Sequence, residues 1–105
     1  MFSNNVTLKL KLNSAPEFAR IVENEIIPLL RNHTGFREEI SFVAPARSQA
    51  EIISLWDNKA DEELYSRTGY PAVLKVLSKV MEGTPTVETF ELSTSTFPKI
   101  AAQKA

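Results

Sequence analysis

The chain has 105 residues, with 12 Lys and Arg against 13 Asp and Glu, one His and no Cys, and 43% hydrophobic and 24% charged side chains. That is the profile of one ordinary globular domain; its length leaves no room for a second, and its near-zero net charge argues against a general attraction to nucleic acid or to an anionic membrane. With no cysteine there is no disulfide, thiol chemistry or Cys-ligated metal, so stability has to come from a packed core, which a chain of this size forms by burying roughly 65% of its unfolded surface.

The opening MFSNNVTLKLKL has no charged region followed by an apolar stretch, and no segment approaches the ~20 apolar residues that span a bilayer, so a cytoplasmic protein is expected. Val6, Leu8, Leu10 and Leu12 alternate with Thr7, Lys9 and Lys11, which predicts a strand with one aliphatic face. Ser14-Ala15-Pro16-Glu17 follows. Ser14 is placed to accept from first-turn amides, Glu17 to reach back, and Pro16 loses nothing where the amides are unpaired anyway, so a helix is expected to begin there. Its stripe is Phe18, Ile21, Val22, Ile26, Leu29 and Leu30. Pro28 cannot donate to the carbonyl of Asn24 and predicts a kink, and Gly35 predicts a left-handed stop.

Phe36 to Ala44 reads as the second strand, with Phe36, Ile40, Phe42 and Ala44 in one phase and Arg37, Glu39, Ser41 and Val43 in the other. A turn from Pro45 to Ser48 leads to a third strand, Gln49 to Trp56. Apolar residues in both phases of it (Ala50, Ile52 and Trp56; Ile53 and Leu55) argue for cover on two faces. Asp57 or Asn58 can cap a second helix with an acidic first turn (Asp61, Glu62, Glu63). Gly69 interrupts it and Pro71 restarts it; Val73, Leu74, Leu77, Val80 and Met81 form its stripe, and Gly83 and Pro85 are expected to close it. The last strand is expected from about Thr86 to Ser93, with a bulge because Val87 is out of phase with Phe90 and Leu92. Residues 1–96 form the domain, and 97–105 are expected to be a disordered tail.

The order β-α-β-β-α-β is that of the ferredoxin-like α+β fold, a four-stranded antiparallel sheet with helices on one face. The other face then needs a cover. A second copy packing sheet to sheet is expected, with Lys9 and Lys11 meeting carboxylates among Glu39, Glu51, Glu88 and Glu91.

Three stretches carry a resemblance: Glu25-Ile26-Ile27-Pro28-Leu29-Leu30-Arg31, then Gly35-Phe36 opening a strand, then Ile53-Ser54-Leu55-Trp56-Asp57 leading into an acidic helix. Over about residues 6–94 the chain resembles the dimeric α+β-barrel proteins of the antibiotic biosynthesis monooxygenase type. The resemblance implies two ferredoxin-like protomers closing one barrel through their sheets, each with a pocket between sheet and helices. It also implies an activity among those of the family, namely cofactor-independent oxidation of polycyclic phenols, haem degradation, or an unknown role. The axial His of haem-degrading relatives matches Leu74, and their strand-one Asn falls near Val6 or Leu8, so haem is not expected. Phenol-oxidising relatives match at Trp56, while their Asn corresponds to Ile52, their strand-two Tyr falls near Ser41, and Lys75 stands roughly where they carry an Arg. These signatures speak for the fold more than for an activity.

Among the residues themselves, Trp56, Tyr65, Tyr70, Phe36, Phe42 and Phe90 either fill the core or line a pocket for a flat apolar ligand. Tyr65 and Tyr70 straddle the Gly69 break, where a pocket mouth could open. Arg67 is close by and could hold an anionic group; Arg67 or Lys75 could stabilise developing negative charge. The ligand-binding candidates are thus Trp56, Tyr65, Tyr70, Arg67 and Lys75. His33 is either a general base or a helix-terminal charge in a polar loop. One His without Cys makes a zinc site improbable, and no metal or cofactor is expected. The adjacent acids Glu38/Glu39 and Glu62/Glu63 read as surface and capping charges. Two functions stand side by side: a cofactor-independent oxygenase acting on a phenolic or quinol-type molecule, and a non-catalytic dimer that binds a small ligand in the same pocket.

Overall fold

In the computed structural model the described residues are 1–97, so the expected tail lies, from residue 98 onward, outside them. The elements are β1 (Phe2–Leu10), α1 (Ala15–Ile21), a π-helical segment (Val22–Ile26), α2 (Ile27–Arg31), β2 (Phe36–Ala44), β3 (Gln49–Trp56), α3 (Lys59–Thr68), α4 (Tyr70–Leu77) and β4 (Met81–Glu91). The strands form one antiparallel sheet in the order β2-β3-β1-β4. This is the ferredoxin-like α+β arrangement expected from the element order.

On β1 the residues facing the helices, Asn4, Val6, Leu8 and Leu10, are all buried. The strand starts earlier than the aliphatic alternation suggested and stops at Leu10, because Asn13 takes a left-handed conformation (φ 59°) that turns the chain. Leu12 therefore leaves the apolar face it was assigned to and is 82% exposed. Ser14 does occupy the N-cap of α1, yet its hydroxyl makes no capping bond, and Glu17 pairs with Arg20 instead of reaching back. Where a kink at Pro28 is expected, the helix carries a wider turn. Ile27 donates to the carbonyl of Val22, five residues back, in a π-helical turn just ahead of the proline that has no N–H to give. The stripe survives, with Phe18, Ile21, Val22, Ile26 and Leu30 buried. Gly35 stands in the following turn with φ 83°, past a helix that already ends at Arg31.

A bulge changes the reading of β2. Phe36 lies opposite Trp56 and Glu38 opposite Leu55, so Arg37 is an extra residue, and its guanidinium forks onto Asp57. Beyond the bulge the phase reverses. Phe36 shares the helix side with Glu39, Ser41 and Val43, while Ile40 and Phe42, assigned to the same face as Phe36, lie on the opposite one. β3 alternates as read: Ala50, Ile52, Ser54 and Trp56 are buried, and Ile53 and Leu55 face the uncovered side.

The Asn58 side chain caps α3 by accepting from the Asp61 amide at 2.9 Å. Gly83 and Pro85 do not close a helix. They lie inside β4, where the two steps from Thr7 to Lys9 face the four from Thr86 to Glu82; Gly83 adopts φ 69° in that bulge. The expected slip in β4 is thus real but falls before Val87. The core between sheet and helices is built on Phe18, Ile21, Ile26, Leu30, Trp56, Leu77 and Val80, each such side chain contributing about 1.5–3 kcal/mol. Among the described residues no helix is long and apolar enough to cross a membrane.

The uncovered sheet face carries cross-strand rows. One runs Leu55, Ser3, Phe90; the next Ile40, Ile53, Asn5, Glu88; the next Phe42, Glu51, Thr7, Thr86. Phe42 and Phe90 are each about half exposed. Of the charges expected to meet across this face, Lys9 pairs with Glu82 at 3.8 Å on its own sheet. Lys11 lies beyond the strand and donates to the Lys79 carbonyl, and Glu39 is on the helix side.

Candidate functional site

The register puts Trp56 at the end of β3, opposite both Phe2 and Phe36, under α3. There it is fully buried and stacks on Tyr65, with ring centroids 4.6 Å apart and planes 23° from parallel. Phe36 meets the indole edge-on at 5.6 Å, and Tyr70 meets Tyr65 edge-on at 6.5 Å. Three of the five candidate residues, Trp56, Tyr65 and Tyr70, therefore form one cluster. Arg67 and Lys75 are exposed on α3 and α4.

A fifth ring completes the cluster. His33, in the turn before Gly35, lies edge-on to Tyr65 at 5.4 Å and to Trp56 at 6.5 Å. Its place is made by Gly69 in the break between α3 and α4, where a Cβ would come within 2.3 Å of the imidazole Nε2. Gly69 is needed for that close approach rather than for its backbone angles, since its φ is −112°. His33 is half-buried and, among the described residues, its ring nitrogens make no hydrogen bond.

Two sets of buried polar groups accompany the rings. The Trp56 Nε1–H donates to Ser54 Oγ at 2.9 Å. Asn4 Nδ2 donates to Glu62 Oε2 at 3.0 Å, and the Ser66 hydroxyl donates to the same oxygen at 2.6 Å. Asn4, Ser54 and Glu62 are all under 4% exposed. Glu62, by its place in the acidic first turn, suggests a capping charge. It is instead a core carboxylate, because its place on α3 turns it under the helix toward β1. Burial of this kind is tolerable only because donors satisfy the carboxylate.

Burial drives the Tyr65 phenol far above its ordinary range, with Tyr70 and Glu62 adding to the effect, and it raises Tyr70 as well. Both phenols are therefore neutral donors near neutrality. Neither hydroxyl has a hydrogen-bond partner among the described residues, which leaves both available to a ligand or to water. On the helix side of edge strand β2, burial raises the Glu39 carboxyl while the Ser41 hydroxyl, donating to it, opposes the shift. A hollow of about 140 Å³ lies between α2 and β2, bounded by Ile27, Arg31, Phe36 and Glu39, and touches the cluster at Phe36 alone. Its polar lining offers an anchor, and its size admits part of a ligand. No group of three or more potential metal ligands occurs among the described residues.

No protein-family model matches the chain, and no curated protein matches it. Solved structures do. The chain superimposes on the monooxygenase from the gene ActVA-Orf6 of Streptomyces coelicolor, solved in complex with the ligand nanaomycin D. That match has a TM-score of 0.74 and 14% identity, over 92% of this chain and 91% of that one. A protein of unknown function from Nitrosomonas europaea matches at TM-score 0.73 and 16% identity, over 92% and 93% of the two chains. A protein from Bordetella bronchiseptica, provisionally named an antibiotic biosynthesis monooxygenase, matches at TM-score 0.73 and 10% identity, over 89% and 97%. The chain has the fold of the antibiotic biosynthesis monooxygenase structures. At these identities the likeness carries the architecture and no residue role.

Proposed function

We propose that the protein is a homodimer, joined through the uncovered sheet faces, that binds a flat aromatic molecule of phenolic or quinol type at the His33–Trp56–Tyr65–Tyr70 cluster. The observation that carries this reading is the cluster itself. It joins five rings, its indole N–H is already engaged by Ser54, and its two phenols are neutral and unpartnered. Trp56 and Tyr65 are buried beneath, and the partly exposed His33, Phe36 and Tyr70 offer edge contacts to a planar ring, with the Tyr70 O–H to orient it. The dimer rests on the apolar side chains of the bare sheet, Ile40, Phe42, Ile53, Leu55 and Phe90, which lie in neighbouring rows interspersed with Ser3, Asn5 and Glu51 and leave two phenylalanines about half exposed.

Binding without turnover fits the residues better than catalysis does. Trp56 and Tyr65 pack directly against each other, and the resemblance to phenol-oxidising proteins implies Ile52 where those carry an Asn and a residue near Ser41 where they carry a Tyr. One observation favours the oxygenase reading: the sole imidazole of the chain borders the rings, and imidazole is the side chain most often used to take the proton that a phenol must lose before it reacts with oxygen. Oxygen uptake with anthrones and hydroquinones separates the two. The binding reading expects ligand-dependent thermal stabilisation, reduced in Trp56→Ala and Tyr70→Phe, with no oxygen consumed above background. Uptake that disappears in His33→Ala establishes the oxygenase instead. Absence of both stabilisation and uptake removes the site.

A further inference from the structure

A second cavity lies at the opposite end of β3 from Trp56, where β1 turns into α1 and β2 turns into β3. It measures about 390 Å³ and has an apolar lining of Leu10, Leu12, Ala15, Pro16, Val43 and Pro45. That volume falls in the range of small-molecule sites. Leu12 is 82% exposed, held out at the lining by the left-handed Asn13. A single exposed leucine is ordinary, but beside an apolar hollow it adds to the apolar surface open to a ligand.

The polar part of the lining has one sign. Lys11 is its only ionised side chain, and no carboxylate lines the cavity. The Lys11 ammonium donates to the Lys79 carbonyl at 3.3 Å, which leaves two of its three N–H donors free. The Ser14 hydroxyl, which makes no capping bond, lines the cavity as an uncommitted donor. The acids within a few residues of the lining have partners elsewhere: Glu17 on Arg20, Glu51 accepting from Asn5, and Glu39 accepting from Ser41. A cation and a hydroxyl beside an apolar hollow, with no opposing acid, complement a molecule that is anionic at one end and apolar along its body.

We propose that this cavity binds a small monocarboxylate with an apolar body, such as a medium-chain fatty acid, its carboxylate on Lys11 and Ser14 and its chain between Leu12 and Val43. Octanoate, 1-octanol and octylamine serve as probes in isothermal titration of the intact protein. Octanoate is expected to bind at least tenfold more tightly than the other two. Lys11→Gln is expected to remove that preference while leaving the weak binding of octanol, and Leu12→Ser is expected to weaken octanoate binding severalfold. Both residues are exposed, so neither variant threatens the fold, and a thermal melt confirms this independently. Octanoate binding indifferent to both substitutions, octylamine binding as well as octanoate, or self-association lost in Leu12→Ser would each overturn the proposal. The last would make this face a contact between copies of the chain.

Discussion

Replacing Gly69 by Ala tests whether the imidazole of His33 is built into the aromatic cluster. At φ −112° an alanine is allowed, and with nothing nearby it would stabilise the protein by about 0.4–1 kcal/mol through the unfolded chain. The neighbours reverse that sign. The new Cβ would stand 2.3 Å from His33 Nε2, 2.6 Å from His33 Cε1 and 2.8 Å from Tyr65 Cδ1. The half-buried imidazole is the part able to leave. On leaving it gives up two edge contacts, with Tyr65 and Trp56, each worth about 0.5–1.5 kcal/mol. The balance is a destabilisation of about 1–2 kcal/mol, read as a lower urea midpoint at unchanged slope and a melting temperature lower by roughly 4 °C per kcal/mol. The double variant with His33→Ala decides the cause. With the ring gone, only Tyr65 resists the methyl, so the two substitutions together should cost about 1 kcal/mol less than their sum. A Gly69→Ala protein as stable as the parent, or strictly additive effects, would refute the packing account of this glycine.

Other consequences are as specific. Glu62→Ala leaves the buried Asn4 amide and Ser66 hydroxyl without their acceptor; a loss of about 1–3 kcal/mol is expected in chemical denaturation, and Asn4→Ala in the same background should add little. The Glu39 carboxyl is raised in the folded state by burial, so its neutral form is the better fit. Its contribution is fully present below the unfolded value of 4.5 and is lost as pH rises through the folded one. Glu39→Gln should accordingly raise the urea midpoint at pH 7 and change nothing near about pH 3, where both proteins carry a neutral side chain. Ile53→Asp, at the centre of the bare sheet between Ile40 and Asn5, should convert the proposed dimer into a folded monomer in sedimentation analysis; a parent that is already monomeric would end the sheet-pairing argument.

Periodicity made the architecture legible and failed wherever one strand carried extra residues. The aliphatic alternation in β1 and the stripe from Phe18 to Leu30 specify their own faces, because period two and period 3.6 are properties of the backbone itself. Arg37 is invisible to that logic. A single additional residue, tied to Asp57, turns Phe36 toward the helices and sends Ile40 and Phe42 to the other side. The run Gly83-Thr84-Pro85 does the same for β4, and turn-forming residues there look like a helix end when they are a kink within a strand. In both cases the cause is a pairing partner far away in the chain, which no local window contains.

The same distinction explains what was legible of the candidate site. Trp56, Tyr65 and Tyr70 could be grouped from one helix break and one strand end, since all three lie within the stretch from 56 to 70. His33 and Asn4 could not, because they reach the cluster only through the crossing of the β2 turn and β1 beneath α3. Gly69 held a local clue. A glycine that breaks a helix needs no left-handed angle when its φ is −112°, so its missing side chain has to be making room for something. Between two tyrosines five residues apart, that something is most economically another ring. The only imidazole of the chain is the one that arrives, and it brings two ring nitrogens to a cluster otherwise built of phenyl, phenol and indole rings.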